Sequence, residues 1–401
     1  ACEEIQSIKA GPGKLLLTSQ RQHDGIALLY SASSVHVATV TPGFPDMNAT
    51  LDAWVRLLHD AGLEGRVLSY AELAQGKLTI EEFKVLVLPC AQGLSAAEVE
   101  AIVRFAREGG QVIADLRPGV TDEHGKPYEK SPLDEVFGVV QAADFQAVTA
   151  PCDALRLGLL TSDGSLRLAD GRAAAQVRET PVMISNTVGK GRALLLNFAL
   201  DGYLSLPAKK GMPYAGWDEG GPYRRLLLGL LREGGVEPAV RLEPELPRVE
   251  VSRFRAGQAE YVGVVQGLPH PDIEYTNKKV GPPEPAAVTL TFTKTAHVYD
   301  VRAGKYLGEV GQLRTKLTPG LAQLYALLPE KAAPPALSAP GRVSLGERMT
   351  FRVGPKGRDA TAHHVYRVRL FGPDGEERAH YACNLAAQER PVEGRITFAL
   401  D

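Results

Sequence analysis

Cysteine is scarce. The 401 residues hold four, Cys2, Cys90, Cys152 and Cys383, and no two of them stand in a C-x-x-C spacing. That excludes a disulfide scaffold and a cysteine-built zinc site, and leaves free buried thiols as the plain reading, which says little about compartment. Long apolar runs are missing too. None approaches the roughly 20 residues a membrane helix needs, so no membrane partner is expected. The opening "ACEEIQSIKAGPGK" lacks the apolar core of a signal peptide. Neither sign of charge dominates, with Lys+Arg 45 against Asp+Glu 47. This removes any global pull toward nucleic acid. No G-x-G-x-x-G and no G-x-x-x-x-G-K-[ST] occurs, so no nucleotide cofactor is expected. An eightfold strand–helix repeat, an internal repeat and low-complexity tracts are also absent. The chain does not begin with Met and reads as processed or as a piece of something longer.

What is present is an ordinary globular composition, 44% hydrophobic and 23% charged, in a length that suits about two to three domains. "GIALLYS" (Gly25–Ser31), "RVLSY" (Arg66–Tyr70), "KVLVLP" (from Lys84) and "QVIADL" (Gln111–Leu116) read as buried strands. Between them, Leu51, Trp54, Val55 and Leu58 recur at helical spacing, with Gly62 placed to end that helix. A second helix opens on Ser95 and Glu98, an S-x-x-E capping box, and stops at Gly109–Gly110. Its inward stripe is expected at Val99, Ile102, Val103 and Ala106. Apolar strands alternating with helices predict a parallel sheet covered on both faces. Hairpin patterns follow from about Ala143, and a last helix lies at Tyr223–Gly235. Period-2 segments dominate beyond Val249 and predict a small β-sandwich. A Pro/Ala stretch, "PEKAAPPALSAPG", comes next, and then four more strands that are too few for a complete Ig-like sandwich.

Several residues invite chemistry. Cys90 ends a strand in "KVLVLPCAQGLS", as a nucleophile would, with His36 or His124 as a candidate base. Against that, "PCAQG" lacks the glycine of a tight elbow, and the helix cap at Ser95 is too distant for its dipole to help. In parallel sheets ligands bind beyond the carboxyl ends of the strands. Those ends carry Ser31, Ser34 and His36 after the first strand, and Asp115, Arg117 and Asp122 after the fourth. They suit an interface or a small ligand, and equally caps and loop hydrogen bonds. His363–His364 resemble a metal pair, but neighbours on a strand face opposite ways, so no metal site is expected. Tyr261, Tyr275, Tyr299 and Tyr306 suit either sugar stacking or cross-strand packing.

The stretches "KLLLTSQRQHDGIALLYSASSVHVATV", "LLHDAGLEGRVLSYAEL", "FKVLVLPCAQGLSAAEVEAIVRFAREGGQVIADLRPGV" and "SPLDEVFGV" resemble the trimerisation domain of family 42 β-galactosidases. "AHVYDVRAGKYLGEV" looks like part of the sandwich that follows it. The resemblance runs from about Lys14 to Pro329. It implies a domain similar to class I glutamine amidotransferases, placed after a catalytic (β/α)₈ barrel and mediating a trimer. It also implies that an amidotransferase's nucleophile would match Asp115–Leu116–Arg117, where no cysteine stands, so Cys90 resembles a bystander. The catalytic barrel is absent, and no catalytic carboxylate carries over. The final segment, "GRVSLGERMTF" onward, goes beyond the family's pattern.

The expectation is therefore an α/β chain: a doubly wound flavodoxin-like or amidotransferase-like domain, then two β-sandwiches, the last cut short. Its parts are a lead-in at 1–24, the α/β domain at 25–244, a small sandwich at 245–330, a linker at 331–341 and a partial Ig-like sandwich at 342–401. The expected function is non-catalytic: self-association as a homo-oligomer, a trimer in the family's pattern, and support of an upstream barrel of the same polypeptide. Two alternatives stand beside it. One is polysaccharide binding by the sandwiches. The other is a Cys90-dependent, amidotransferase-like hydrolase.

Overall fold

The computed structural model describes residues 5, 8–9, 12–41, 44–142, 144–204, 206, 217–268, 284–356, 364–387 and 390–398. These form two compact units, one spanning residues 23–239 and one joining residues up to Gln22 with those from Val240 onward.

In the first unit β1 (Ile26–Tyr30) is followed by α1 (Ala32–Val40) and α2 (Met47–Asp60). Then come β2 (Gly65–Ser69), α3 (Tyr70–Ala74), β3 (Val85–Leu88), α4 (Ala96–Glu108) and β4 (Gln111–Asp115). A hairpin-rich stretch leads to β5 (Arg172–Val177), β6 (Thr180–Val188), β7 (Gly191–Leu196) and α5 (Gly221–Glu233). The sheet order is β5-β6-β7-β4-β3-β1-β2. The five strands from β7 to β2 are parallel; β5 and β6 are antiparallel.

Strand side chains alternate between two cores, as period 2 requires. Ile26, Leu28, Val85, Val87, Ile113, Leu194 and Leu196 meet Trp54, Leu57 and Leu58 of α2 and Leu227, Leu230 and Leu231 of α5 on one face. Ala27, Leu29, Leu86, Leu88, Val112, Ala114 and Leu195 meet Leu73 of α3 and Ile102, Phe105 and Ala106 of α4 on the other. Each fully buried Leu, Ile or Phe contributes about 1.5–3 kcal/mol. This explains why these strands read as unbroken apolar runs.

Two local features depart from the sequence reading. The residues after β1 form α1, whereas they read as a loop. "ASSVHVATV" has no helical apolar period and is rich in β-branched residues; the helix is held by tertiary burial of Ser34, Val37 and Ala38. The inward face of α4 is Glu98, Ala101, Ile102, Phe105 and Ala106, while Val99 and Val103 lie half-covered on its flank.

The second unit is β-rich. Its seven-stranded antiparallel sheet runs Gln20–Gln22, Val249–Ala256, Ala259–Gln266, Gln323–Leu328, Ala286–Asp300, Val240–Glu243, with Lys305–Leu317 paired to Ala286–Asp300. Its core holds Val262, Val264, Leu290, Val298 and Leu327. Gln20–Gln22 lie in the stretch that reads as a lead-in; they pair with Arg253–Arg255, and Lys14 Nζ donates to the Asn384 carbonyl at 2.9 Å. Pro335–Ser338, inside the expected linker, pairs with Arg352–Pro355. That segment is exposed throughout, so main-chain bonds and not burial define it as a strand. The remaining strands are Arg348–Pro355 with Val392–Thr397, and His364–Val368 with Cys383–Ala387.

Candidate functional site

The carboxyl ends of β3 and β4 place Cys90 and Asp115 side by side. Both are fully buried. The Cys90 N–H donates to Asp115 Oδ1, and Trp54 Nε1 of α2 donates to Asp115 Oδ2 at 2.9 Å. Thr50 Oγ1 lies 3.4 Å from Cys90 Sγ and donates to the Asp46 carbonyl at 2.9 Å. The apolar surroundings of the thiol are Ala38, Phe44 and Leu116. Cys90 adopts φ +38°, a conformation L-residues rarely take, fixed here by its bond to Asp115.

The electrostatics follow from burial. Desolvation pushes the Asp115 carboxyl up to about 7, against the opposing pull of the Cys90 N–H and the Trp54 indole, and the Asp201 carboxylate pushes it further. Desolvation pushes the Cys90 thiol well above its usual range, and the charge of Asp115 adds to this. A thiol nucleophile needs the opposite, an exposed and stabilised thiolate. The imidazoles that would serve as base do not supply it. His36 is exposed on α1. His124 sits in a turn whose Asp122 carboxylate accepts the backbone N–H groups of His124 and Lys126, both at 2.9 Å. Neither histidine is hydrogen-bonded to Cys90 among the described residues.

Arg117 is tied down in another way. It is buried, with φ +58°. One guanidinium nitrogen meets Asp163 Oδ2 at 2.5 Å, and another donates to the Ala142 carbonyl at 3.1 Å. Asp163 Oδ1 accepts from Ser165 Oγ at 2.6 Å and from the Ser165 N–H at 2.9 Å. Asn197 holds the backbone here, donating to the carbonyls of Asp163 and Pro181, both at 2.9 Å. Just beyond the carboxyl end of β4 the chain thus carries an arginine locked into a buried ion pair.

Ser31 and Ser34 close the crevice between β1 and β3. Their hydroxyls donate to the Gly93 carbonyl at 3.1 and 2.7 Å, and the Gly93 N–H donates back to Ser34 Oγ at 3.1 Å. A Cβ on Gly93 would meet the Val37 side chain at 2.9 Å, so a larger residue there would force Val37 to shift. The loops after β3 and β4 are laced by backbone bonds: Gly119 to Ala91 at 2.8 Å, Thr121 to Gln92 at 2.9 Å, Leu94 to Thr121 at 3.1 Å. The loop residues beyond the carboxyl ends of β1, β3 and β4 are thus hydrogen-bonded to one another.

The remaining candidates are quickly placed. No group of three or more His, Cys, Asp or Glu among the described residues could hold a metal; His363 lies outside those residues. Tyr261 is in the sheet core, and Tyr275 is outside the described residues. Tyr299 and Tyr306 pack 4.9 Å apart beside His297, and their own chain covers them: Lys331 sits 4.8 Å over the Tyr306 ring and the Ala332 N–H donates to Tyr299 Oη at 2.9 Å. Sequence reasoning missed Trp54 as a partner of Asp115, and missed Asp163 and Asn197 altogether. The available signal was a polar residue at the end of an apolar run, as in "LGLLTSD" and "ALLLN".

Residues 25–204 match the family model described as the beta-galactosidase trimerisation domain. Solved structures share the fold. A β-galactosidase from Bacillus circulans sp. alkalophilus superposes with a TM-score of 0.56 at 16% identity, over 81% of this chain and 44% of that one. A catalytic mutant of Gan42B, a GH42 β-galactosidase from G. stearothermophilus, gives 0.53 at 16%, over 77% and 40%. Alpha-L-fucosidase isoenzyme 2 from Paenibacillus thiaminolyticus gives 0.54 at 15%, over 81% and 51%. The chain thus spans about half or less of the length of these proteins, and at such identities the likeness is one of fold. Residues 25–204 of the α/β unit thus match the beta-galactosidase trimerisation domain, and the fold is shared with family 42 β-galactosidases.

Proposed function

We infer that this chain is a non-catalytic part of a β-galactosidase-like glycoside hydrolase, and that its α/β unit assembles copies of the protein and supports a catalytic barrel lying upstream in the same polypeptide. The observation that carries this reading is the match of residues 25–204 to the trimerisation domain. The bonding of the crevice residues supports it: Cys90 is buried, Arg117 is ion-paired, and Ser31 and Ser34 are bonded to Gly93. The parallel order β2-β1-β3-β4-β7 favours a flavodoxin-like, amidotransferase-like domain over residues 25–244. A small sandwich over 245–330 and a partial Ig-like sandwich over 342–401 complete the scheme. The fold does not carry amidotransferase chemistry with it. The test is an assay of the purified chain against aryl β-galactosides, with its mass in solution measured in parallel. No turnover, together with a homo-oligomer, is expected. Turnover that survives repurification and is lost on Cys90→Ser would overturn the non-catalytic reading.

A further inference from the structure

The sequence holds five Asp–Gly steps: Asp24–Gly25, Asp163–Gly164, Asp170–Gly171, Asp201–Gly202 and Asp374–Gly375. At such a step the glycine nitrogen can attack the carboxyl of the aspartate before it, since glycine has no Cβ to shield the approach. The attack needs nitrogen and carboxyl held side by side. By sequence the five rank equally. The fold separates them.

In four of them the nitrogen is held elsewhere. The Gly25 N–H donates to His23 Nδ1 at 3.1 Å. Those of Gly164, Gly171 and Gly375 donate to the carbonyls of Gln146, Gly138 and Gly372 at 2.7, 2.8 and 3.0 Å. Three of the four carboxyls are engaged as well. Asp24 accepts from the Glu64 N–H at 2.7 Å, Asp163 pairs with Arg117, and Asp374 accepts from the Glu376 N–H at 3.0 Å. At the fourth step Gly171 is wedged, and a Cβ there would meet the Gly138 carbonyl oxygen at 2.6 Å. Asp201–Gly202 is different. It lies in the short turn Asp201–Tyr203 after β7, and the Gly202 N–H donates to Oδ1 of Asp201 itself at 2.9 Å. Oδ1 is bonded to Cγ, so the nitrogen and the carbon it would attack are neighbours. Gly202 is exposed, and a Cβ on it would meet nothing within 4 Å, so water and room for movement are both at hand.

We propose that Asp201–Gly202 is a site of spontaneous covalent modification, at which the chain rearranges to isoaspartate. The Gly202 nitrogen bonds to Asp201 Cγ and gives up its proton. The protonated carboxyl loses its hydroxyl, which leaves with that proton as water. A second water opens the resulting five-membered imide at either carbonyl and gives aspartate again or isoaspartate. Nothing is oxidised or reduced, and water is the one co-reactant. Isoaspartate lengthens the main chain by one carbon just before Tyr203. The hydroxyl of Tyr203 donates to Asp60 Oδ2 of α2 at 2.9 Å, and its ring packs 5.7 Å from that of Tyr223 on α5. The rearrangement therefore pulls on the join between these two helices.

The whole chain is incubated for weeks at pH 6, folded or in guanidinium chloride, and the five steps are compared by peptide mapping with a fragmentation that tells isoaspartate from aspartate. In the folded chain isoaspartate is expected at Asp201 at least tenfold faster than at any other step. In the unfolded chain the five should form it at similar rates. Gly202→Ala, whose added Cβ the turn has room for, is expected to slow the reaction at Asp201 at least tenfold and to leave the other four steps unchanged. No isoaspartate at Asp201 in the folded chain, or an equal rate at another step there, would overturn the proposal. So would a folded Gly202→Ala variant that reacts at Asp201 as fast as the parent.

Discussion

Arg117 shows how a residue at a ligand-binding position can be wholly structural. Its guanidinium and the Asp163 carboxylate are almost fully out of water, at 5% and 1% side-chain exposure. Removing one partner of such a pair leaves a buried charge without compensation and costs about 3–5 kcal/mol. Arg117→Ala is therefore expected to lower the free energy of unfolding by that amount, read as a fall in the urea midpoint at unchanged slope; a change under about 1 kcal/mol would contradict the clamp. Asp115 makes stability depend on pH. Its folded-state pKa is raised from 3.8 to about 7. Below pH about 4 the carboxyl is protonated in both folded and unfolded chains. Between about 4 and 7 the unfolded chain releases a proton that the folded chain keeps, so stability falls as pH rises, by about 4 kcal/mol in all. Measured against Asp115→Asn, the parent chain should lose ground from pH 4.5 to 7.5; a flat difference would refute the assignment. Cys90 should resist iodoacetamide at pH 7.5 in the folded chain and react on unfolding, as followed by peptide mapping of that site; rapid labelling of folded protein would contradict a buried, neutral thiol. The positions of Ser31, Asp115 and Arg117 at or just beyond strand ends were legible in the sequence, whereas Ser34 lies on α1. Their partners were not, because Trp54, Gly93 and Asp163 lie 61, 59 and 46 residues away from Asp115, Ser34 and Arg117, and nothing local reports such a contact.

The elements that could be read from sequence are those whose signal is local. The box at the start of α4 is one: the Ser95 hydroxyl accepts from the Glu98 N–H, and the Glu98 carboxylate accepts from the Ser95 N–H at 2.8 Å. Ser95→Ala should cost about 1 kcal/mol, seen as a small shift of the unfolding midpoint with the fold retained. No shift would mean that packing of Phe105 and Ile102 alone sets that end of the helix. The strands β1, β3 and β4 were equally legible, since burial on both faces leaves an unbroken apolar run. α1 was not, because its sequence favours other conformations and its helix is imposed by Ser34, Val37 and Ala38 packing inward. The exposed strand Pro335–Ser338 was not either, because a strand held only by main-chain bonds to a neighbour has no side-chain pattern to read.

At the scale of the whole molecule, the sheet of the α/β unit is covered on both faces and the loops after β3 and β4 are bonded to one another. The match of residues 25–204 to a trimerisation domain implies homo-oligomeric association, and near-neutral net charge places no long-range repulsion between copies. Self-association is therefore the central claim. Its most direct test is the molar mass of the chain in solution, by light scattering across a hundredfold range of concentration. The expected value at the upper end is near three times 43.1 kDa. A mass of one chain at every concentration would contradict the claim.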